Sequence, residues 1–317
     1  MRELLYASKE TNIRFFVMNR ASRTAQYVAL FRALESTLPA NVRLFADPLA
    51  PCFLDRRLHL VAALSRVRPI GDALRWQIDR RWPGPRGAVA ARTRLIDTWV
   101  VDALREGIRQ VALLGAGFDT RPYRLPELAR VKTFEVDREP TLDAKRAALT
   151  RRLAQPPKRV TFVPIDFERD EVDARLVAHG FLPDVPSVFV WEGVTNYLTA
   201  DAVDAALRAI ARLGAPGSWL IFTYVDRQVL DGTTTVPGAA ESIRTVRRAG
   251  EPFTFGLRPE EVGAYIARHH FRLDCDLAVC DAPAQPRPRG GRPVPVSSFY
   301  HVARATVDPR GSNTQSL

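Results

Sequence analysis

The sequence predicts an α/β protein with a mostly parallel β-sheet covered by helices on both faces. The first indication is a change of pattern near residue 108, after which short apolar runs alternate with segments of helical periodicity. The second is the last pair of apolar runs, 271–279 and 296–305, which only a Pro/Gly/Arg-rich stretch connects. Because no crossover helix fits into that stretch, we expect this last pair to be antiparallel.

An N-terminal helical cap that contributes to the active site is expected over residues 1–107. The apolar residues Tyr27, Phe31, Leu34 and Leu38 follow one another at spacings of four, three and four, which places them on one helical face. Pro39 ends that helix because proline has no amide hydrogen and clashes with the preceding turn. A second long helix is expected over about 87–105, after the break at 83–85, where proline, glycine and proline follow one another.

Five strands are expected between residues 108 and 225. They are predicted at 110–114, 131–136, 160–165, 187–191 and 219–225, with helices at 141–153, 170–179 and 200–213. Residues 108–307 should therefore form a Rossmann-like core. The stretch 226–258 is rich in Gly, Thr and Pro around a short helix, which indicates a lid or substrate-pocket insertion, and 308–317 predicts a flexible tail.

Length and composition restrict the class of protein. The 317 residues are 46% hydrophobic and 26% charged, which suits a packed globular core and excludes collagen, a coiled coil and wholesale disorder. No apolar run approaches the roughly 20 residues of a membrane helix, and charges interrupt the first segment, so neither a membrane span nor a secretory signal is expected. Cys52, Cys275 and Cys280 form no C-x-x-C pair and predict reduced thiols in the cytoplasm. The histidines show no metal-ligand spacing, and no metal site is expected.

The charge balance is strongly basic, with a formal net charge of +11. The 46 basic residues include four lysines, and the other 42 are arginines spread along the whole chain without a block of like charges. This distribution favours a general preference for arginine over a nucleic-acid footprint. Nucleic acid is therefore not the expected partner, whereas an acidic small molecule stays compatible with the charge.

The first chemical motif is an apolar strand that runs straight into Gly115-Ala116-Gly117. Glycine allows a tight turn and lets a ligand approach the backbone, and open α/β sheets bind ligands at the carboxyl ends of their strands. A plain strand-ending turn is the alternative interpretation. The next strand ends at Asp137, 20 residues beyond Gly117, where an acidic residue typically binds the hydroxyls of an adenosine ribose. A helix N-cap is the alternative for Asp137.

Two further observations indicate which adenosine cofactor would bind. Thr120 occupies the third position of the G-x-G-x-x-G pattern, so the pyrophosphate fingerprint of a nicotinamide dinucleotide is broken. The third strand ends in Asp166-Phe167, which could receive an adenine amino group and pack its ring; a loop start and a core aromatic are the alternative. Acidic residues after two strands without a pyrophosphate loop suit an adenosine that lacks phosphates, and S-adenosylmethionine is the obvious candidate.

Glu192 and Arg92 are the charged residues whose positions are least expected. Glu192 follows the fourth strand, where a buried carboxylate is costly without a partner. It could face the cofactor ammonium group or the substrate, or form a salt bridge to an arginine. Asn196 and Tyr197 would then lie at the rim and orient a substrate oxygen. Arg92 shares the apolar face of the second helix, so it either clamps the cofactor carboxylate or extends its charged end to solvent.

The ordered set of motifs resembles the leucine carboxyl methyltransferase-like family of class I S-adenosylmethionine-dependent methyltransferases. The resemblance covers about residues 20–225, and its most specific part is LGAGFDTRPYRL together with FEVD. The similar pieces are Thr24-Ala25 through Arg32-Ala33-Leu34-Glu35, Ala46-Asp47-Pro48, Ala91-Arg92-Thr93-Arg94, LLGAGFDTRPYRL at 113–125, FEVD at 134–137, Asp166-Phe167 and WEGVTNYLT at 191–199.

The resemblance implies a seven-stranded Rossmann-like core with an antiparallel last strand. It also implies S-adenosylmethionine contacts at Arg92, Gly115, Asp137, Asp166-Phe167 and Glu192. Similar members include uncharacterised bacterial enzymes and polyketide-tailoring O-methyltransferases. The stretch after 225 shows no distinctive agreement, so the acceptor molecule is not given by the resemblance.

The expected reaction is in-line transfer of a methyl group to an oxygen of a small molecule. A carboxylate needs no base, and no histidine lies within the motifs, which favours a carboxylate or an acidic hydroxyl as acceptor. His59, in the cap, is a possible base, and a surface residue is the simpler interpretation. Three alternatives stay open: a methyltransferase directed at nucleic acid, a nicotinamide-dependent oxidoreductase, and a protein that binds S-adenosylmethionine without catalysis.

Overall fold

The computed structural model describes residues 23–153, 157–236, 238–248, 250–287 and 293–308. Their strands are β1 (Gln110–Leu114), β2 (Lys132–Asp137), β3 (Val160–Pro164), β4 (Ser187–Trp191), β5 (Trp219–Val225), β6 (Phe271–Ala278) and β7 (Tyr300–Val307). The helices are α1 (Arg23–Ser36), α2 (Arg56–Leu64), α3 (Arg68–Arg81), α4 (Pro85–Arg105), α5 (Arg121–Arg124), α6 (Glu139–Thr150), α7 (Val172–Ala178), α8 (Ala200–Leu213), α9 (Arg227–Asp231), α10 (Ala239–Arg248) and α11 (Val262–Ala267). Short 3₁₀ turns lie at Ala50–Phe53, Pro126–Arg130, Thr195–Tyr197, Pro259–Glu261 and Val279–Asp281.

The described strands form one seven-stranded sheet in the order β3-β2-β1-β4-β5-β7-β6. Strands β1 to β5 pair in parallel, whereas β7 pairs antiparallel with both β5 and β6. The predicted fold class, including the antiparallel pair at the end of the chain, is confirmed.

The central strands are buried on both faces, which explains their continuous apolar sequences. Along β1, Ala112 and Leu114 belong to one core cluster, whereas Val111 and Leu113 belong to another on the opposite face. Helices α7 and α8 cover the first face and α4 covers the second. The carboxyl ends of these strands are therefore held by core packing from both sides.

One predicted strand is wrong in its position. The last run was expected at 296–305, but β7 extends over Tyr300–Val307, and its pairing with β5 begins where Tyr300 lies opposite Val225. Just before it, Ser297 donates its amide hydrogen to the carbonyl of Gly84, so this stretch packs on the start of α4 instead of joining the sheet. Residues 309–317 of the predicted tail lie outside the described residues.

The N-terminal helices differ sharply in how much they bury. Fifteen of the 21 residues of α4 are buried, including the predicted face of Arg92, Ile96, Trp99 and Ala103. In the α2–α3 hairpin (residues 56–81), by contrast, four described residues are buried: Ala62, Ser65, Gly71 and Arg75. The hairpin instead exposes five large apolar side chains, Leu60, Leu64, Val67, Ile70 and Trp76. None of the described helices combines the length and apolar character needed to cross a membrane.

Candidate active site

A cavity of about 470 Å³ opens at the carboxyl ends of β1, β2 and β4, and we call it the larger cavity. Every residue that the sequence predicted to bind the cofactor lines it. These residues are Arg92, Gly115, Ala116, Gly117, Asp137, Asp166, Phe167 and Glu192. The strand ends, α4 and the loop after β3 thus bring together residues separated by up to 100 positions in the sequence.

The turn after β1 needs glycine for two separate reasons. Gly115 and Gly117 both have positive φ angles, +67° and +40°, a region that favours glycine. A Cβ at Gly115 would also overlap the side chain of Val194, whereas a Cβ at Gly117 would lie in ordinary contact distance of the nearest atom. The turn therefore leaves exposed backbone where a ligand can approach closely.

Asp137 ties the end of β2 to this turn. One carboxylate oxygen accepts a hydrogen bond from the amide of Gly117 at 2.7 Å, and the other accepts one from the amide of Arg138 at 2.7 Å. Burial raises the pKa of Asp137, although these two amide hydrogen bonds act in the opposite direction. The N-cap interpretation is wrong, since Arg138 occupies the cap position of α6.

Asp166 and Phe167 lie in the loop after β3 and line the larger cavity. Asp166 begins a tight loop in which its amide donates to Asp170 at 2.8 Å and its carboxylate accepts from the amide of Glu168 at 3.1 Å. The ring of Phe167 lies 6.1 Å from that of Trp191 and packs against the core. The two residues thus have the local roles of a loop start and a core aromatic, and they also face the larger cavity.

Glu192 belongs to a buried ion-pair cluster of three arginines and three carboxylates. Its two carboxylate oxygens each lie 2.7 Å from a guanidinium nitrogen, one of Arg92 and one of Arg121. Arg121 also pairs with Asp97 at 2.7 Å and with Asp119 at 2.6 Å, and Arg124 pairs with Asp97 at 2.7 Å. The charges of this cluster, Arg92, Arg121, Arg124, Asp97, Asp119 and Glu192, sum to zero.

The cluster bears on the alternatives that the sequence left open for Arg92 and Glu192. Arg92 is 6% exposed, so it does not extend to solvent, and its carboxylate partner is Glu192. Burial would raise the pKa of Glu192, but the guanidinium groups of Arg121 and Arg92 hold it below its usual range. For Asp119 the balance is similar, since burial acts upward while Arg121, Lys145 and Arg32 bring the pKa down to about 2.

Arg121, Asp97, Asp119 and Arg124 had no role predicted from the sequence. Arg121 is 2% exposed, and such a deeply buried arginine requires carboxylate partners. Asp119, Arg121 and Arg124 all stand within the motif LGAGFDTRPYRL, so the signal was present but its charged residues were not read as a network.

A smaller cavity of about 140 Å³ adjoins the larger one. The two share the lining residues Thr24, Val28, Arg92, Gly193 and Tyr197. The smaller cavity is strongly aromatic, and its aromatic lining residues are Tyr27, Phe31, Trp82, Tyr197 and Tyr300.

The predicted substrate-positioning residues, Asn196 and Tyr197, lie near the place where the two cavities meet. Tyr197 lines both cavities and Asn196 lines the smaller one. The backbone carbonyl of Asn196 accepts a hydrogen bond from the amide of Thr254 at 2.8 Å, and the ring of Tyr197 lies 5.6 Å from that of Phe253. Burial raises the pKa of Tyr197, and it raises the pKa of Tyr300 to about 12. Both phenols are therefore protonated near neutral pH.

The stretch 226–258, predicted as an insertion over the pocket, contributes to both walls. Residues 250–252 and 254 line the larger cavity, and Ser242, Thr245 and Val246 of α10 line the smaller one. His59 is exposed and does not belong to the lining of either cavity among the described residues. Within the described ranges, no group of three His, Cys, Asp or Glu residues could hold a metal ion.

Residues 25–211 match the model of the leucine carboxyl methyltransferase family. A Mycobacterium sp. (strain JLS) protein named "Putative S-adenosyl-L-methionine-dependent methyltransferase" is 32% identical over 274 residues, which cover 79% of this chain and 84% of that protein. A protein of the same name from Mycobacterium avium (strain 104) is 33% identical over 190 residues, 60% of this chain and 54% of that protein. The chain thus spans about half the length of this second relative.

Two solved structures share the fold. A DUF574 family protein from Streptomyces avermitilis MA-4680 superimposes with a TM-score of 0.58 at 16% identity, covering 92% of this chain and 100% of that one. A protein from Thermobifida fusca YX, described as a "putative methyltransferase", gives a TM-score of 0.53 at 20% identity, covering 75% of this chain and 88% of that one. At these identities the likeness concerns the fold alone.

Proposed function

The chain belongs to the leucine carboxyl methyltransferase family of class I S-adenosylmethionine-dependent methyltransferases, and we propose that it methylates an oxygen of a small molecule. The acceptor atom in this proposal belongs to a carboxylate or an acidic hydroxyl. The observation that carries it is the meeting of all eight predicted cofactor residues in one cavity that opens into a second, aromatic cavity. One cavity would hold the methyl donor and the other the acceptor.

The described residues fit S-adenosylmethionine. Gly115 and Gly117 leave backbone without side chains at the lining of the larger cavity, and Asp137 presents a partly buried carboxylate beside them. We assign Asp137 to the ribose hydroxyls, Asp166 and Phe167 to the adenine, and Arg92 and Glu192 to the charged methionine end. When bound, the cofactor supplies a methyl group already activated by its positive sulfur.

The remaining work of catalysis is positioning. Aromatic walls pack against the acceptor, and Tyr197 and Asn196 near the junction of the two cavities hold its oxygen in line with the methyl group. Glu192 is a poor base, because two guanidinium groups lower its pKa. This supports an acceptor that ionises easily, for which alignment is the main contribution.

The proposal also gives roles to the flanking segments. Residues 1–107 would act as a helical cap, because α1, Trp82 and the start of α4 line the smaller cavity. The stretch 226–258 would act as the cover that completes both walls. A cytoplasmic location is supported by the three cysteines, which are all free thiols.

Calorimetric titration tests the cofactor assignment directly. We expect S-adenosylmethionine and S-adenosylhomocysteine to bind to the wild type, and Asp137→Ala to weaken both by about 100-fold or more, since it removes a charge-assisted hydrogen-bond acceptor. Asp143→Ala is the matched control, because Asp143 is an exposed carboxylate on α6 paired with exposed Arg146. Folded wild-type protein that binds neither compound would overturn the proposed function.

A further inference from the structure

We propose that the smaller cavity selects a single-ring phenol as the methyl acceptor, with the ring among the aromatic walls and the hydroxyl at the opening into the larger cavity. This inference rests on the proposed O-methyl transfer and narrows its acceptor from a carboxylate or acidic hydroxyl to one class. Three properties of the cavity carry it: its lining, its size and its charge.

The lining favours a flat aromatic ring. Tyr27, Phe31, Trp82, Tyr197 and Tyr300 surround the space from four separate parts of the fold. The rings of Tyr27 and Trp82 lie 6.3 Å apart with a tilt of 57° between their planes. Aromatic side chains at such distances pack well against the face or the edge of a further ring.

The size limits the acceptor to about one ring. The cavity has a volume of about 140 Å³, and an apolar cavity of about 150 Å³ is known to hold one benzene molecule. A fused-ring acceptor would exceed this volume and would have to extend into the larger cavity or displace a wall. Trp82 is the largest of those walls, so we assign to it the upper limit on acceptor size.

The charge favours a neutral hydroxyl over a carboxylate. Arg92 is the one charged residue among the described lining of the smaller cavity, and Glu192 already pairs with it at 2.7 Å. The ion-pair cluster to which Arg92 belongs contains three guanidinium groups and three carboxylates. It therefore has no surplus positive charge for an anionic acceptor. Burying a carboxylate there would be costly, whereas a neutral phenol loses little solvation.

The junction suits the reacting oxygen. Arg92, Gly193 and Tyr197 are shared by both cavities, so an oxygen beside them lies where donor and acceptor meet. In the reaction the phenolic oxygen forms a bond to the methyl carbon. The bond from that carbon to sulfur breaks with its electron pair going to sulfur, and the phenolic proton leaves to water. The products are an aryl methyl ether and S-adenosylhomocysteine.

The test measures transfer of labelled methyl from S-adenosylmethionine to matched acceptors. The acceptors are a panel of single-ring phenols including 4-methylphenol, the corresponding benzoates including 4-methylbenzoate, and 1-naphthol as the two-ring probe. We expect the wild type to methylate single-ring phenols, to leave the benzoates unchanged and to use 1-naphthol at least tenfold less efficiently.

Variants at two tryptophans sharpen the test. Trp82→Ala should raise KM for the phenol roughly tenfold and bring 1-naphthol up to comparable or better use, while calorimetric affinity for S-adenosylmethionine stays unchanged. Trp76→Ala is the control, because Trp76 lies on α3, the helix that ends just before Trp82, is 46% exposed and is not part of the lining. Phe31→Leu, a milder change in the same lining, covers the case in which Trp82→Ala does not fold.

The possible outcomes distinguish a failure of the phenol assignment from a failure of the proposed function. Methylation of the benzoates instead of the phenols would overturn the phenol assignment and leave O-methyl transfer standing. Cofactor binding without methylation of any single-ring phenol would overturn it as well. An unchanged preference for ring size in both cavity variants would refute the role of the aromatic walls. Failure to bind S-adenosylmethionine at all would instead remove the proposed function.

Discussion

The larger and the smaller cavity are neighbours that are built in opposite ways. The larger takes its polar groups from the ends of β1, β2 and β4 and from the loop after β3, where core packing on both faces of the sheet fixes the backbone. The smaller takes aromatic side chains from α1, the end of α3, the turn after β4 and the start of β7. In the proposed function, the sheet would therefore hold the cofactor, whereas aromatic side chains from scattered elements would select the acceptor.

The strongest challenge to this contrast is removal of Arg121. Arg121→Met should lower the free energy of unfolding by about 3–5 kcal/mol, because Asp97, Asp119 and Glu192 would stay buried with an unbalanced negative charge. Urea unfolding measures this loss. Arg105→Met is the control, since Arg105 is 72% exposed and its pair with Asp102 should contribute no more than about 1 kcal/mol. Equal losses in the two variants would show that the buried ion-pair cluster contributes no more to the free energy of unfolding than an exposed ion pair does.

The two glycines of the turn after β1 offer a finer comparison. Gly115→Ala should cost roughly 2–4 kcal/mol of stability, because it combines an unfavourable positive φ with overlap on Val194. Gly117→Ala should cost about 1–2 kcal/mol, since it meets the unfavourable φ alone. Thermal and urea unfolding of both variants measure the difference. Equal costs would mean that Val194 simply moves aside.

Acid titration of Asp119 tests the ionic part of the cluster through an effect that depends on pH. Its pKa of about 2 lies below the ordinary value of 3.8, so the folded protein binds fewer protons than the unfolded chain between these values. The group therefore stabilises the fold above about pH 4 by roughly 2 kcal/mol, and this contribution disappears as the pH falls towards 2.

We expect the stability advantage of the wild type over Asp119→Asn to be full at pH 5 and to close by pH 2. Unfolding in urea across this range measures it. Asp143→Asn, at an exposed carboxylate, should follow the wild-type profile. A gap between wild type and Asp119→Asn that stays constant with pH would contradict the ionic role of the cluster.

The elements that could be predicted from the sequence are those whose structure depends on neighbouring residues in the chain. The bounds of β1, β4, β5 and α8 were predicted to the residue, because a continuous apolar run marks a fully buried strand and a strongly amphipathic helix has a clear periodicity. The eight residues predicted to bind the cofactor could be picked out because each stands at the end of a strand or on a marked helical face, and they line one cavity. The start of β7 was missed because Ser297 pairs with Gly84, more than 200 residues away.

The aromatic cavity could not be predicted by the same means. Tyr27, Trp82 and Tyr300 come from distant parts of the chain, and no spacing rule relates them. The ion-pair cluster is intermediate. Its three members at 119–124 share one motif, but Asp97 and Glu192 join them only through the packing of α4 and β4 against the turn.

The sparse burial of the α2–α3 hairpin has a dynamic consequence. Segments with few buried contacts open to solvent at a lower free energy than the sheet, so their amide hydrogens exchange faster. Trp82 follows α3 directly and forms a wall of the smaller cavity. A molecule that fills this cavity would restrain the end of the hairpin, and slower exchange across residues 56–81 would register its presence at a distance from the site of chemistry.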